Sequence, residues 1–300
     1  MIDSRIYTFM EVCRTLNYTR ASANLHITQP AVTQHVQYLE QLYQVPLVEI
    51  RGKKVFLTEQ GKILERLAAS MCADELHIRK TLLDSIRKKE KLVFGATLTV
   101  GEFVIPSVLG RYLAVFPDTD ISVIVKNTES LLELLESAEI EFAVVEGRFD
   151  KSAYTYQLIS QEKYIAICGR EFYERECTKG CMTMESLFEN RLIVRESGSG
   201  TRGILEQFLQ THNQSLEKFK NRIEVSNMAA IRKLVAGNCG ISFLYQTVVE
   251  QELKEGSLYE IPVEDFQIQR EFNFVYLKNS IFSEKYDTIS KYFKTWRGNI

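Results

Sequence analysis

Between Glu59 and Glu90 the sequence holds no proline, and its apolar residues recur at helical spacing. Ile63, Leu67 and Met71 form one row, which Ile78, Leu82 and Ile86 continue, and Leu64, Ala68, Leu76 and Leu83 widen the stripe. A helix rising about 1.5 Å per residue over such a length outruns the diameter of a small domain, so it cannot sit inside one core. It divides the 300-residue chain into a part before it and a larger part after it. Nor can it bury its own stripe. The expectation is a homodimer, or a homotetramer built from one, held by pairing this helix with that of a second copy; docking onto the larger part is the alternative.

The charge changes at the same place. The net charge of −2 resolves into +4 over residues 1–91 and −6 over the remainder, a small basic module followed by an acidic one. A hydrophobic fraction of 45% allows sizeable cores and excludes disorder. The N-terminus carries Asp3, Arg5, Glu11 and Arg14 and lacks the apolar region of a signal peptide, and no stretch is long and apolar enough to span a membrane. Six scattered cysteines fit a reducing compartment, so a cytoplasmic location is expected. Cys177 and Cys181 stand close, but no second ligand pair accompanies them, and no metal site or cofactor is expected.

Ahead of the long helix, Ile6, Phe9, Met10, Cys13 and Leu16 define one amphipathic helix. Thr19 is placed to cap a short helix from Arg20 to Leu25. Thr28 then caps a third helix, with Pro30 tolerated in its first turn. This helix buries Val32, Val36, Leu39 and Tyr43 and displays Gln29, Thr33, Gln34 and Gln37. Val45–Ile50 and Val55–Leu57 flank a turn at Arg51-Gly52-Lys53-Lys54, giving a hairpin with a cationic tip. Helix, short helix, helix and basic hairpin is the layout of a winged helix-turn-helix. Amide and hydroxyl side chains on the third helix can reach base edges, and a cationic wing can follow phosphates. A merely solvated polar face on a helical bundle is the alternative.

The run Phe9…Asn17-Tyr18-Thr19-Arg20-Ala21-Ser22-Ala23-Asn24-Leu25-His26-Ile27-Thr28-Gln29-Pro30-Ala31-Val32-Thr33-Gln34, with Leu39-Glu40, Val45-Pro46-Leu47 and Leu57-Thr58-Glu59-Gln60-Gly61, closely resembles the N-terminal signature of LysR-type transcriptional regulators. The resemblance implies DNA contacts at Thr19, Arg20, Thr28, Gln29, Pro30, Thr33 and Gln34, with Arg51, Lys53 and Lys54 in the wing. Three departures stand out: Gln44 occupies a position where the family usually has Gly, Val48 one of Phe, and Ile50 one of Arg. Gln34 also replaces a frequent Arg, so phosphate affinity is expected to be modest.

From Leu92 onward strand-like and helical segments alternate, as in layered α/β folds. Strands are expected at Leu92–Gly95, Asp120–Lys126, Glu141–Glu146, Lys163–Cys168, Arg191–Arg195, Arg222–Val225, Gly240–Tyr245 and Phe272–Leu277, with a last helix carrying Tyr292, Phe293 and Trp296. Two subdomains joined by two crossings, near 160–164 and 264–271, follow from the late return of a strand and helix. Loops after such strands, at helix N-termini, collect ligands. Gly95–Glu102, Asn127–Glu129, Glu146-Gly147 and Ser197–Gly203 fit that description. Gly198-x-Gly200-x-x-Gly203 matches a dinucleotide fingerprint formally, but the next strand ends in Ser226-Asn227 and not in the acid that would hold a ribose. A hydroxyl-rich cradle for a carboxylate, sulfate or phosphate is the better chemical reading.

This region resembles the LysR effector domain, a periplasmic-binding-protein-like fold of two α/β subdomains, most closely that of the cysteine-metabolism-regulator-like subgroup. The matching runs are Gly95-Ala96-Thr97…Thr99…Gly101-Glu102-Phe103…Pro106, Asn127-Thr128-Glu129, Val145-Glu146-Gly147, Arg195-Glu196…Gly198-Ser199-Gly200-Thr201-Arg202 and Gly240–Leu244. The resemblance implies effector contacts at Thr97, Thr99, Asn127, Thr128, Glu146, Ser197, Gly198, Ser199 and Thr201. Glu129 either orients a hydroxyl or amine or is a solvated helix-start carboxylate. The expected organisation is a winged helix-turn-helix at 1–58, a linker helix at 59–91 and an effector domain at 92–300. The effector domain divides into subdomain I (about 92–161 and 268–300) and subdomain II (about 162–267). No catalytic constellation is expected: the four His stand apart in sequence, and no serine elbow or zinc motif occurs. An oxidoreductase or thiol catalyst is the rival class, and a bare solute-binding protein leaves residues 1–60 unexplained. The expectation is a cytoplasmic regulator that binds double-stranded DNA and a small anionic effector.

Overall fold

The structure, a computed structural model, describes residues 2–52, 54–87, 91–147 and 149–296. Three helices open the chain: α1 (Ser4–Thr15), α2 (Tyr18–Leu25) and α3 (Gln29–Tyr43). Asn17, not Thr19, caps α2, accepting from the Arg20 N–H at 3.0 Å, because the helix starts at Tyr18, two residues earlier than expected. Thr28 caps α3 through the Ala31 N–H. The hairpin β1 (Val48–Arg51) and β2 (Lys54–Leu57) follows, with Gly52 at φ +65° in its tip. Ile6, Phe9, Cys13, Leu39 and Leu47 bury together, and a neighbouring cluster joins Val12, Ala21, Val32, Val36 and Val55. Tyr43 is exposed, contrary to expectation: the last turn of α3 projects beyond the bundle, and Leu42 is exposed beside it.

The long helix α4 (Glu59–Arg87) is bound at its start by Thr58. That hydroxyl donates to the Pro46 carbonyl at 2.7 Å and accepts from the Gly61 N–H at 2.9 Å. A Cβ at Gly61 would lie 2.0 Å from the Leu47 carbonyl oxygen, so only glycine allows this approach. Ala68 is fully buried against the bundle, whereas Ile63, Leu67, Met71, Ile78 and Leu83 are exposed. Further along, Asp74 accepts from the Ser280 hydroxyl at 2.7 Å and the Ile281 N–H at 2.9 Å. His77 stands edge-on to Phe282, and burial holds its imidazole down at a pKa of about 4. Lys80 donates to the Ala138 carbonyl at 2.8 Å. One side of α4 thus docks on the following α/β body while the other stays open.

That body begins with β3 (Lys91–Ala96), α5 (Leu98–Phe103), α6 (Ile105–Val115), β4 (Asp120–Val125), α7 (Thr128–Glu136) and β5 (Ala143–Glu146). A long strand, β6 (Tyr154–Cys168), leads to α8 (Arg170–Glu176), α9 (Met184–Leu187), β7 (Arg191–Val194), α10 (Gly200–Thr211) and β8 (Asn221–Glu224). The chain returns through α11 (Met228–Ala236), β9 (Ser242–Tyr245), α12 (Glu250–Glu255), β10 (Tyr259–Glu260), β11 (Ile268–Leu277) and α13 (Ser283–Lys294). Strands β4, β3 and β5 are parallel neighbours, and β11 adds antiparallel to β5. β11 also pairs antiparallel with β6 from Ile268↔Tyr164 to Leu277↔Tyr154. The far end of β6 carries β9 and β10, and β7 pairs with β8. The two long strands therefore pass from one group of strands to the other. The strand expected at 163–168 is only the end of β6, whose first half mixes exposed Tyr156 and Leu158 with polar side chains and so lacks a strand-like apolar run. Trp296 lies just past the end of α13. Phe142 stacks between Phe94 and Phe274, with ring centroids at 4.7 and 4.4 Å.

Gln44 closes α3 at φ +55°. A left-handed residue with a Cβ costs about 1–2 kcal/mol, which glycine avoids. The substitution Gln44→Gly is expected to raise stability by about 1 kcal/mol, read as a higher urea midpoint at unchanged slope.

Candidate functional site

The first site is the edge formed by α2, α3 and the hairpin. The Thr19 hydroxyl donates to Gln29 Oε1 at 3.4 Å, tying the start of α2 to that of α3. Arg20, Thr28, Gln29, Pro30 and Gln34 are exposed; Thr33 is half-buried, its hydroxyl donating to the Gln29 carbonyl at 3.2 Å. These residues share one polar edge. His35 is anchored inward, its Nδ1 at 2.9 Å from the Thr8 hydroxyl. In the hairpin Lys54 is exposed, but Arg51 pairs with Glu49 Oε2 at 2.8 and 3.1 Å and lies over the Phe56 ring. The wing is less cationic than its sequence suggests, because alternation along β1 sets Glu49 beside Arg51 on one face. Lys53 lies outside the described residues.

The second site is a cleft of about 410 Å³ between the two groups of strands. One wall holds Thr97, Leu98, Val125, Lys126, Asn127, Thr128 and Glu146; the other runs from Arg195 through Thr201. The walls are the ends of β3, β4, β5 and β7, and β3, β4 and β7 turn there into α5, α7 and α10. Asn127 caps α7 through the Ser130 N–H at 2.8 Å, and the Thr128 hydroxyl donates to the Glu146 carbonyl at 2.8 Å. At the start of α10 Ser199 makes no side-chain cap, so the first-turn N–H groups are not closed off by its hydroxyl. Gly198, at φ +84°, shapes the loop that carries it. Tyr164 holds this turn by donating to the Thr201 carbonyl at 2.9 Å.

Of the residues expected on the effector, Thr97, Asn127, Thr128, Glu146, Ser197, Gly198, Ser199 and Thr201 all line this cleft. Thr99 does not: it is fully buried and donates to Glu146 Oε1 at 3.2 Å, so it stands behind the wall. Glu129 is a solvated helix-start carboxylate off the lining. Lys126, Arg195 and Glu196 line the cleft and were not singled out as contacts, although each sits next to a run that was. Arg195 is buried and grips Glu196 through two bonds of 2.7 Å. Cys177 is buried beside Cys168 while Cys181 is exposed.

Glu146 is the most perturbed of the groups that line the cleft. Burial pushes its carboxyl up to about 7, against the opposing pull of Tyr245, Thr99 and Arg195. The Tyr245 hydroxyl faces this carboxyl without closing a hydrogen bond of ordinary geometry. A carboxyl raised by folding contributes stability below its unfolded value and loses it as pH rises through its folded one. The substitution Glu146→Gln is therefore expected to change stability little near pH 4. Above pH 7 it stabilises by about 3 kcal/mol at most, measured by urea unfolding across that range.

Two family models match the chain. The bacterial regulatory helix-turn-helix protein model, lysR family, covers residues 4–62, and the LysR substrate binding domain model covers 87–296. The transcriptional activator CmpR of Synechocystis is 29% identical over 273 residues, 90% of this chain and 88% of that one. The regulator CysL of Bacillus subtilis is 22% identical over 275 residues, 90% and 89% of the two chains. The regulatory domain of Synechocystis CcmR, solved in complex with 2-PG, superposes with a TM-score of 0.60 at 23% identity, covering 71% of this chain and 99% of that one. No described helix is long and apolar enough to cross a membrane. With both models in chain order, one over the reading edge and one over the cleft, the chain belongs to the LysR family of DNA-binding, effector-responsive transcriptional regulators, a family of regulators and not of enzymes.

Proposed function

We propose that a small anion, entering the cleft between the α/β subdomains, controls this regulator, and that it reads DNA as a homo-oligomer paired through α4. The observation that carries the anion is the start of α10, where first-turn N–H groups and the hydroxyls of Ser197, Ser199 and Thr201 surround a cleft that Lys126 also borders. That the CcmR regulatory domain was solved in complex with 2-PG supports a small-molecule ligand for the matching part of this chain. The division is the one read from sequence: reader at 1–58, linker at 59–91, effector domain at 92–300. The crossings of its two subdomains fall on β6 and the start of β11.

On the reader, Gln29 and Thr33 face base edges while Thr19, Arg20, Thr28 and Lys54 meet phosphates. Pro30 and Gln34 border the groove, and Arg51 and Lys53 complete the wing. The open face of α4, with Leu67 44% and Met71 52% exposed, is the dimer seam, and it sets two readers on the halves of a palindromic site.

Two measurements test this reading. Sulfate, phosphate and small carboxylates are screened by thermal shift; a specific anion raises Tm in proportion to its logarithmic concentration, and Ser199→Ala weakens it about tenfold. If none of these anions raises Tm, the anionic effector is wrong. Leu67→Glu with Ile78→Glu is expected to give monomers by sedimentation and at least a hundredfold loss in operator affinity, since each reader then binds alone.

A further inference from the structure

Glu146 carries an observation that the proposed anion site leaves unexplained: an acid sits in the wall of a site built for anions. Its side chain is 8% exposed. Oε1 accepts from Thr99, whereas Oε2 is buried and, among the described residues, makes no hydrogen bond. The Thr97 hydroxyl, on the same wall, is buried and equally unengaged. The opposite wall is close, since a Cβ on Gly200, the first residue of α10, would stand 4.0 Å from Glu146 Oε1.

The charges around this carboxyl come from several elements. Arg195, at the end of β7, is buried but doubly bound to Glu196. Tyr245 of β9 faces Glu146, and Tyr164 of β6 feels it; Arg270 of β11 acts on both tyrosines, and Glu206 acts on Tyr164. Lys126 stands on the rim. With Glu146 ionised, the lining holds two cations and two carboxylates and offers an anion no net attraction. With Glu146 neutral, the balance is one positive charge, and a buried O–H donor is added.

Resting on the anion reading above, we propose that Glu146 recognises the effector as a neutral carboxylic acid, donating its proton from Oε1, the carboxyl oxygen nearest the start of α10, to an oxygen of the anion, so that effector binding takes up a proton. No bond other than the hydrogen bond forms; the proton comes from solvent and stays on Glu146. The anion in turn suppresses ionisation of the acid that holds it. Burial has already brought the free group to about 7, so the uptake falls within the range of intracellular acidity.

The test uses the full chain and two probes of constant charge above pH 6, inorganic sulfate and oxalate, by calorimetry at pH 6 and pH 8.5. Affinity of the bound probe is expected to fall about 30-fold between them. At pH 7.5, measured in Tris and in PIPES, wild-type protein shows net proton uptake, which needs no variant. Glu146→Gln, which keeps an N–H donor, binds with an affinity flat in pH. Binding that is equal at the two pH values, or stronger at pH 8.5, overturns this proposal while leaving the anion site standing. Binding of neither probe at either pH, together with no rise in Tm from any of the screened anions, removes both readings.

Discussion

The antiparallel pairing of β6 with β11 is the constraint on which the rest of the body hangs. Ten register positions run from Ile268↔Tyr164 to Leu277↔Tyr154, interrupted by a shift at Phe272/Asn273. On one end these strands carry the parallel set β5, β3 and β4; on the other they carry β9 and β10. The cleft exists because two groups of strands share two spines and little else at that level. Parallel strands point their carboxyl ends, and the helix N-termini that follow, toward the gap, so backbone N–H groups gather there without a fixed cation. Phe142, stacked between Phe94 and Phe274, makes one wall rigid from behind.

The linker helix meets this body through polar contacts as much as apolar ones. Asp74 holds the loop between β11 and α13, and Lys80 holds the carbonyl of Ala138, just past the end of α7. The start of α7 is the cleft wall at Asn127 and Thr128. One short helix therefore has its first turn on the cleft and its last beneath the linker helix. A shift imposed at one end has to be absorbed at the other, because packed elements translate as units more readily than they compress.

Much of this was legible in the residues. Thr58 and Gly61 belong to a run that carries the family resemblance, and the structure gives each a task, the one bridging hairpin and helix, the other admitting the Leu47 carbonyl. The departure at Gln44 falls on a left-handed residue, which is the physical reason a glycine suits that position. What sequence could not show is which side chain arrives opposite which. Thr19 and Asn17 are equally good caps on paper, and backbone angles decide for Asn17. Thr99 lies two residues from Thr97 in a hydroxyl-rich run, yet the first turn of α5 (Leu98–Phe103) turns one toward the cleft and the other onto Glu146. Arg51 reads as a wing cation until the strand alternation sets Glu49 beside it.

That last pairing bears on how the reader works. The first 91 residues carry a net charge of only +4, Ile50 removes one wing cation, and Arg51 is held by an exposed carboxylate. An exposed pair of this kind holds weakly, by at most about 1 kcal/mol, so a phosphate can compete for the guanidinium. With the contacts proposed above, a single reader has few phosphate contacts and a shallow salt dependence. Joining two readers through a stiff helix changes this without any new contact, since the second engagement becomes intramolecular. On the proposed pairing, the same apolar stripe that forbids α4 from folding into one compact core lets a weakly basic module bind a specific site.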